Sequence, residues 1–186
     1  INNYSVARLW NEILLEAIRN DFARPTVHAR NLFHISAAMY DTWAIIKKQG
    51  STYLIGQNVN DFNSIYESFD NDFSEEDNMT KAISFAAYRL IVHRFSQSPN
   101  SEYIINLANF YMDLLDLDIE NYDTFNNTQD PINLGNYIAE NYIQYGLDDG
   151  SMEQLNYQNQ YYEPVNDPLS PILSGNQNIN DPNRWQ

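Results

Sequence analysis

Three histidines, His28, His34 and His93, and a few arginines carry most of the chemistry this chain could perform. His34 lies in the stretch from Arg24 to Ile46, the longest uninterrupted apolar-rich run. At 100° per residue, Arg30, His34 and Asp41 fall within about 40° of one another, a narrow polar stripe on an apolar rod. A histidine, a guanidinium and a carboxylate in one place could bind an anion or move a proton. Here, however, His34 and Asp41 are two turns apart, about 10 Å along a helix axis, so each must find its partner on another element. His28 and His34 are six residues apart rather than four, and do not share the helix face that a zinc pair needs. The expected role of Arg30, His34 and Asp41 is therefore a structural polar network that fixes helix register, with no catalytic residue and no metal ligand assigned.

Other clusters invite the same comparison. Arg89, His93 and Arg94 form a small basic group that could hold an anion, though such residues ordinarily pair with neighbouring carboxylates. Asp148-Asp149-Gly150-Ser151 offers oxygen ligands for calcium but lacks the spacing of an EF-hand loop. The abundant tyrosines could stack on sugars; more often a tyrosine packs its ring and leaves its hydroxyl at the surface. The sequence has no Gly-rich phosphate loop, no G-x-S-x-G and no H-E-x-x-H.

The elements that would position these residues are helical. Pro25 suits the first turn of a helix, and no Gly or Pro follows until Gly50, so roughly 22 residues can run as one rod about 33 Å long. Apolar nearly all round, this rod is expected at the centre of a bundle. Ser5 to Asn20 reads as an amphipathic helix burying Val6, Leu9, Trp10, Ile13, Leu14 and Ala17, and the short turn after it predicts antiparallel pairing with the central rod. Lys47 to Phe73 reads as a connection with one helical turn near Asp61 to Phe69. A third helix runs from an acidic cap at Ser74 to about Ser96, a fourth from Ser101 to Leu117 and a fifth from Asp130-Pro131 to about Gly146. The fold class is thus all-α: about five helices around a central buried helix, with a bundle over 1–146 and a long irregular segment over 147–186. That segment holds Pro164, Pro168, Pro171 and Pro182, and is too apolar for a solvated tether, with Tyr157, Tyr161, Tyr162, Leu169, Ile172, Leu173 and Trp185. It is expected to pack on the bundle or on a part of the protein beyond this chain.

Composition narrows the function classes. A net charge of −15 disfavours nucleic acid and anionic membrane surfaces, which need clustered Lys or Arg. The absence of cysteine excludes disulfides, zinc–thiolate sites and cysteine nucleophiles. No run of about 18 uncharged apolar residues is present, so no membrane insertion is expected. The chain begins Ile1-Asn2-Asn3 rather than with Met, and a mature form or excised piece is expected.

The stretch from Ala7 to Ala44 carries a recognisable pattern: Trp10-Asn11, Ala17-Ile18-Arg19, Pro25, Ala29-Arg30, His34, Ala37-Ala38 and Asp41. It resembles the opening helices of vanadium-dependent haloperoxidase-like proteins, in the superfamily of type 2 phosphatidic acid phosphatases. Lys81 to Phe95, Asp148 to Ser151 and the closing Asp181-Pro182-Asn183-Arg184-Trp185-Gln186 also fit. In that family, vanadate or phosphate is held by a Lys followed at a distance by Arg-Pro, by Pro-Ser-Gly-His, and by Ser-Arg followed by a His. Arg24-Pro25 is present here, but the position seven before Arg24 is Ala17, not Lys. Ser174-Gly175 is preceded by Leu173 and followed by Asn176. No Ser-Arg occurs.

The resemblance therefore implies the N-terminal scaffold half of a haloperoxidase-like or acid-phosphatase-like protein. The family includes oxidoreductases and hydrolases, yet this chain is expected to be inactive by itself. No cofactor is expected within it, and vanadate belongs, if anywhere, to the full-length protein. The implied partner is the C-terminal catalytic half of the same protein, with an oligomer also allowed. Bacterial origin and export to the periplasm, cell surface or medium fit the acidic, Asn-rich composition. The rival reading is a non-enzymatic secreted helical module that binds a protein or glycan through its tyrosine-rich tail.

Overall fold

The computed structural model describes residues 4–124, 129–167 and 179–184. Among the described residues five helices follow in order: α1 (Val6–Arg19), α2 (Pro25–Lys47), α3 (Glu75–Phe95), α4 (Ser101–Leu114) and α5 (Pro131–Leu147). They pack on one another as an all-α bundle, relieved by one small antiparallel hairpin, β1 (Asn58–Val59) and β2 (Phe62–Asn63), and a 3-10 turn at Glu153–Leu155.

Local chemistry explains the helix starts. The Ser5 hydroxyl accepts from the Arg8 amide at 3.3 Å, and that of Ser74 from the Asp77 amide at 3.1 Å. Asp130 accepts from the Ile132 amide at 2.8 Å, with Pro131 as the first helical residue. Each cap satisfies an amide that has no partner within its helix. Glu75, Glu76 and Asp77 add negative charge at the positive end of α3. α2 ends where Lys48 turns left-handed at φ 53°. α4 stops at Leu114, short of the expected Leu117, and Asp116 is left-handed at φ 56° just beyond it.

The helix with neighbours on every side is α3, which packs against each of the other four. Ala82, Ser84, Phe85, Ala86, Ala87, Leu90 and Ile91 are each 0% exposed and Tyr88 is nearly so, so α3 is buried around most of its circumference. α2, expected at the centre, instead flanks α3 and leaves Leu32, Phe33 and Tyr40 exposed at 36%, 48% and 43%. α1 rests mainly on α3, with a lesser contact to α2. It buries Trp10, Ile13, Leu14 and Ala17, and the Trp10 indole N–H donates to Ser84 Oγ at 3.0 Å. The charged opening of α3, EEDNMTK, dilutes its apolar signal and makes α2 look the more buried in sequence.

The expected helical turn at Asp61 to Phe69 is not formed. Asn60 and Asp61 take φ 49° and 68° between the paired residues Val59 and Phe62, the two-residue hairpin turn for which Asn and Asp are suited. Residues 64–70 then run without regular structure. In the tail, Tyr157 is partly buried, whereas Tyr161 is 87% exposed. Pro168, Leu169, Pro171, Ile172, Leu173, Ser174, Gly175, Asn176, Trp185 and Gln186 lie outside the described residues.

α5 approaches α3 most closely at Gly135. A Cβ added there would stand 2.5 Å from the Ala82 carbonyl oxygen and 2.7 Å from Phe85 Cβ. Both obstacles belong to the buried middle of α3, where Ala82 and Phe85 are 0% exposed. Gly135→Ala is expected to destabilise the chain by about 1–3 kcal/mol despite the better helix propensity of alanine. Urea unfolding followed by far-UV circular dichroism measures this, and a wild-type midpoint would contradict the packing described.

Candidate functional site

Several polar residues of α2 point inward. Asn31, His34 and Asp41 are 1%, 3% and 0% exposed, and no water reaches them to satisfy their hydrogen bonds. Their partners come from α3, α5 and the loops that follow α2 and α5.

The first group gathers where α2, α3 and the C-terminal end of α5 meet. Arg94 of α3 donates through Nη1 to Asn31 Oδ1 at 3.0 Å and through Nη2 to His34 Nδ1 at 2.9 Å. Arg30 donates through Nε to Asp149 Oδ2 at 2.6 Å, and through Nη2 to the Gly146 carbonyl at 2.8 Å and Glu153 Oε2 at 2.7 Å. Its Nη1 reaches the Tyr157 hydroxyl at 3.3 Å. His93 Nε2 lies 2.8 Å from Glu153 Oε1. Gly146 makes the space: a Cβ there would sit 2.7 Å from both guanidinium Nη2 atoms. Two guanidiniums and two imidazoles from α2 and α3 thus enclose two carboxylates from the segment after α5.

Charge states follow from this geometry. A guanidinium can only donate, so His34 Nδ1 is the accepting nitrogen and the ring proton sits on Nε2. Burial, reinforced by Arg94 and Arg30, lowers the His34 pKa to about 3, so the ring is neutral. Burial works against ionisation of Glu153, but His93, Arg94 and Arg30 outweigh it and bring its carboxyl down to about 2. Asp149 is likewise held below the usual range: desolvation is overcome by hydrogen bonds from Arg30 and Ser151. The arrangement is a neutralised clamp. His34 is sealed from solvent with its lone pair committed to Arg94, and is not placed to act as a base.

The second group surrounds Asp41. Its carboxylate accepts from the amides of Tyr53, Leu54 and Ile55 at 2.6, 2.9 and 3.1 Å, and from the Tyr142 hydroxyl at 3.0 Å. Leu54 and Ile55 are 0% and 1% exposed, so Asp41 supplies the acceptor that lets their backbone be buried. Burial and the adjacent Asp41 charge push the Tyr142 hydroxyl far above its ordinary pKa. Arg30 and His34 therefore belong together, while Asp41 anchors a different loop. The His34 ring touches Tyr142 edge-on, with centroids 6.1 Å apart, so Tyr142 lies between the two groups.

Arg89 is separate from His93 and Arg94. It donates to the carbonyls of Ile119 and Asn121 at 2.7 and 2.8 Å and to Asn136 Oδ1 at 3.0 Å, beneath the Tyr122 ring. His28 Nε2 lies 2.8 Å from the Phe22 carbonyl. Among the described residues no group of three or more His, Asp or Glu is placed to hold a metal ion, and Asp149 is engaged by Arg30. No described helix is long and apolar enough to cross a membrane.

Sequence reasoning missed Glu153, Asn31 and Tyr157 as partners. The chain has 25 acidic residues against 10 Lys and Arg, and nothing in their spacing selects which carboxylate meets which cation. Compared with known proteins, the chain matches no family model, no curated protein and no solved structure.

The neutral His34 gives a signed pH dependence. Between pH 6.5 and 3 the unfolded chain takes up a proton at residue 34 that the folded chain refuses. This contribution is therefore full above pH 6.5 and is lost as pH falls. From pH 7 to about 4.5 the loss amounts to about 2–3 kcal/mol, before Glu153 contributes in its own window from about 4.5 to 2. His34→Gln, which keeps an acceptor for Arg94, is expected to flatten that part of the curve. Urea midpoints at the two pH values for both proteins test it, and parallel curves would refute a neutral buried His34.

Proposed function

We propose that this chain is the N-terminal scaffold half of a vanadium haloperoxidase-like or acid-phosphatase-like protein, whose oxyanion-binding residues lie outside it. One observation carries this reading. The outward side of α2 presents Ala29, Leu32, Phe33, Ser36 and Tyr40 to solvent without a single charge, in a chain of net charge −15. A helix face exposed to water normally carries charge, and an apolar stripe on such an acidic protein suits a covered interface. The remainder of the same protein is the occupant that the resemblance over Ala7 to Ala44 suggests.

The residues of this chain do not themselves fit vanadate. Where Arg30, Arg94, His34 and His93 converge, Asp149 and Glu153 already supply the negative charge. A trianion would have to displace both carboxylates or meet their repulsion. Vanadate or phosphate chemistry, bacterial origin and export belong to this reading as proposals for the full-length protein.

The full reading frame tests it. Downstream of Gln186 we expect a Lys…Arg-Pro segment, a Pro-Ser-Gly-His and a Ser-Arg followed by a His. Expressed as separate pieces, the two halves should copurify. Phe33→Glu with Ser36→Glu should weaken that association at least about tenfold, as expected for loss of a central aromatic anchor, while changing the stability of the 186-residue chain by less than about 1 kcal/mol. A frame that closes without those motifs sinks the reading and leaves the partner-binding module in its place. Unaltered copurification of the double variant removes α2 as the interface.

A further inference from the structure

We propose that the bay between α2 and α3 is a binding site for a pair of carboxylates, and that residues 148–157 are its built-in ligand, a strap held by charge and releasable. The proposal does not depend on which protein the scaffold belongs to.

The strap touches the bundle through polar groups. Asp149 meets Arg30, Glu153 meets Arg30 and His93, and Asn156 Oδ1 accepts from Arg24 Nη1 at 3.0 Å. Tyr157 lies between Arg24 and Arg30, its ring centroid 5.1 and 5.8 Å from the two guanidinium carbons. Its 3-10 turn buries no residue, and Leu155 is 45% exposed. Hydrophobic burial, the usual adhesive of a docked segment, is therefore nearly absent. The backbone also carries strain: Met152, Asn156 and Tyr157 take φ 60°, 52° and 60°, which side chains other than glycine seldom adopt.

The bay, by contrast, is built. Arg94 is 7% exposed, and two of its nitrogens are fixed by Asn31 and His34. Its third, Nε, has no hydrogen-bond partner and faces Glu153 Oε1 across 3.6 Å, too far for a bond. A buried donor aimed at the carboxylate but left unmet shows that Glu153 fills the bay imperfectly. The receptor is held by the helices; the ligand is held by the receptor. The spacing of Asp149 and Glu153 defines the chemistry recognised: an acidic peptide with two carboxylates four residues apart.

Chymotrypsin reads release directly, because Leu155 and Tyr157 lie in the strap and the exposed Tyr161 beyond it serves as an internal standard. Raising NaCl from about 0.1 to 1 M shortens the Debye length from about 10 to 3 Å, and cleavage at Leu155 and Tyr157 relative to Tyr161 should rise about fivefold or more. Helical circular dichroism should stay constant. Asp149→Asn with Glu153→Gln should be cut fast at both salt concentrations, and should bind a labelled peptide copying residues 148–158, with anisotropy lost in high salt or when the peptide carries the same two substitutions. Where the double variant loses its helical signal, Glu153→Gln alone takes its place. Salt-independent cleavage of the wild type, cleavage that only tracks loss of helix, or failure of the peptide to bind would each overturn the proposal.

Discussion

The close contact between α3 and α5 governs the rest of the molecule. Gly135, Ala139, Tyr142 and Gly146 recur at helical spacing along the buried side of α5. Gly135 admits the backbone of α3 at one end, and Gly146 leaves room for two guanidiniums at the other. Between them Tyr142 reaches Asp41 of α2. One helix face thus sets the distance to α3, the place where Arg30 and Arg94 can meet, and the loop that Asp41 holds. A larger residue at either glycine would move both polar groups, since both are referred to the position of α5.

Charge is used locally in this protein, against the trend of the whole. With net charge −15, cations are scarce, and those in the interior are spent on fixing chain segments. Arg94 ties α3 to α2, Arg30 ties α2 to the end of α5 and the chain after it, and Arg89 ties α3 to the loop at Ile119 to Asn121. Each replaces water on buried or part-buried acceptors, where a charged hydrogen bond adds to specificity of packing. Asp41 performs the reverse task, giving one carboxylate to three backbone amides so that Leu54 and Ile55 can enter the core.

Much of the architecture was legible in the sequence because local rules act where the chain cannot choose. The caps at Ser74 and Asp130 and the helices they open follow from short-range chemistry, and the five described helices appear with ends within a few residues of expectation. The hub was misplaced because periodicity reports how apolar a helix is and says nothing of how many neighbours it has. α2 spends its apolar outer face on solvent, whereas α3 hides its core behind an acidic first turn. The hairpin at Asn60-Asp61 was missed because two-residue strands leave no period to detect. Of the polar residues singled out, Arg30 and His34 meet around Arg94, while Asp41 serves another loop. Angular proximity on a helical projection cannot separate residues two turns apart that face different neighbours.

The same geometry bears on what this bundle could do chemically. An anion pocket needs positive charge that is preorganised and unspent. Here preorganisation is present, in the buried Arg94 and the fixed Arg30, but the charge is already met by Asp149 and Glu153. Freeing it means moving the strap. Lifting the strap would leave two guanidiniums side by side, Arg30 open to water and counter-ions and Arg94 still bound to His34 and Asn31, a concentration of positive charge that favours recapture of carboxylates. The carboxylates neutralise this corner, while Asn31 and His34 keep Arg94 in place whether or not the strap is docked. A reactive centre built on these residues would have to replace both negative charges at the moment it formed, and that requirement makes the bay better suited to holding a segment of chain than to turning over a substrate.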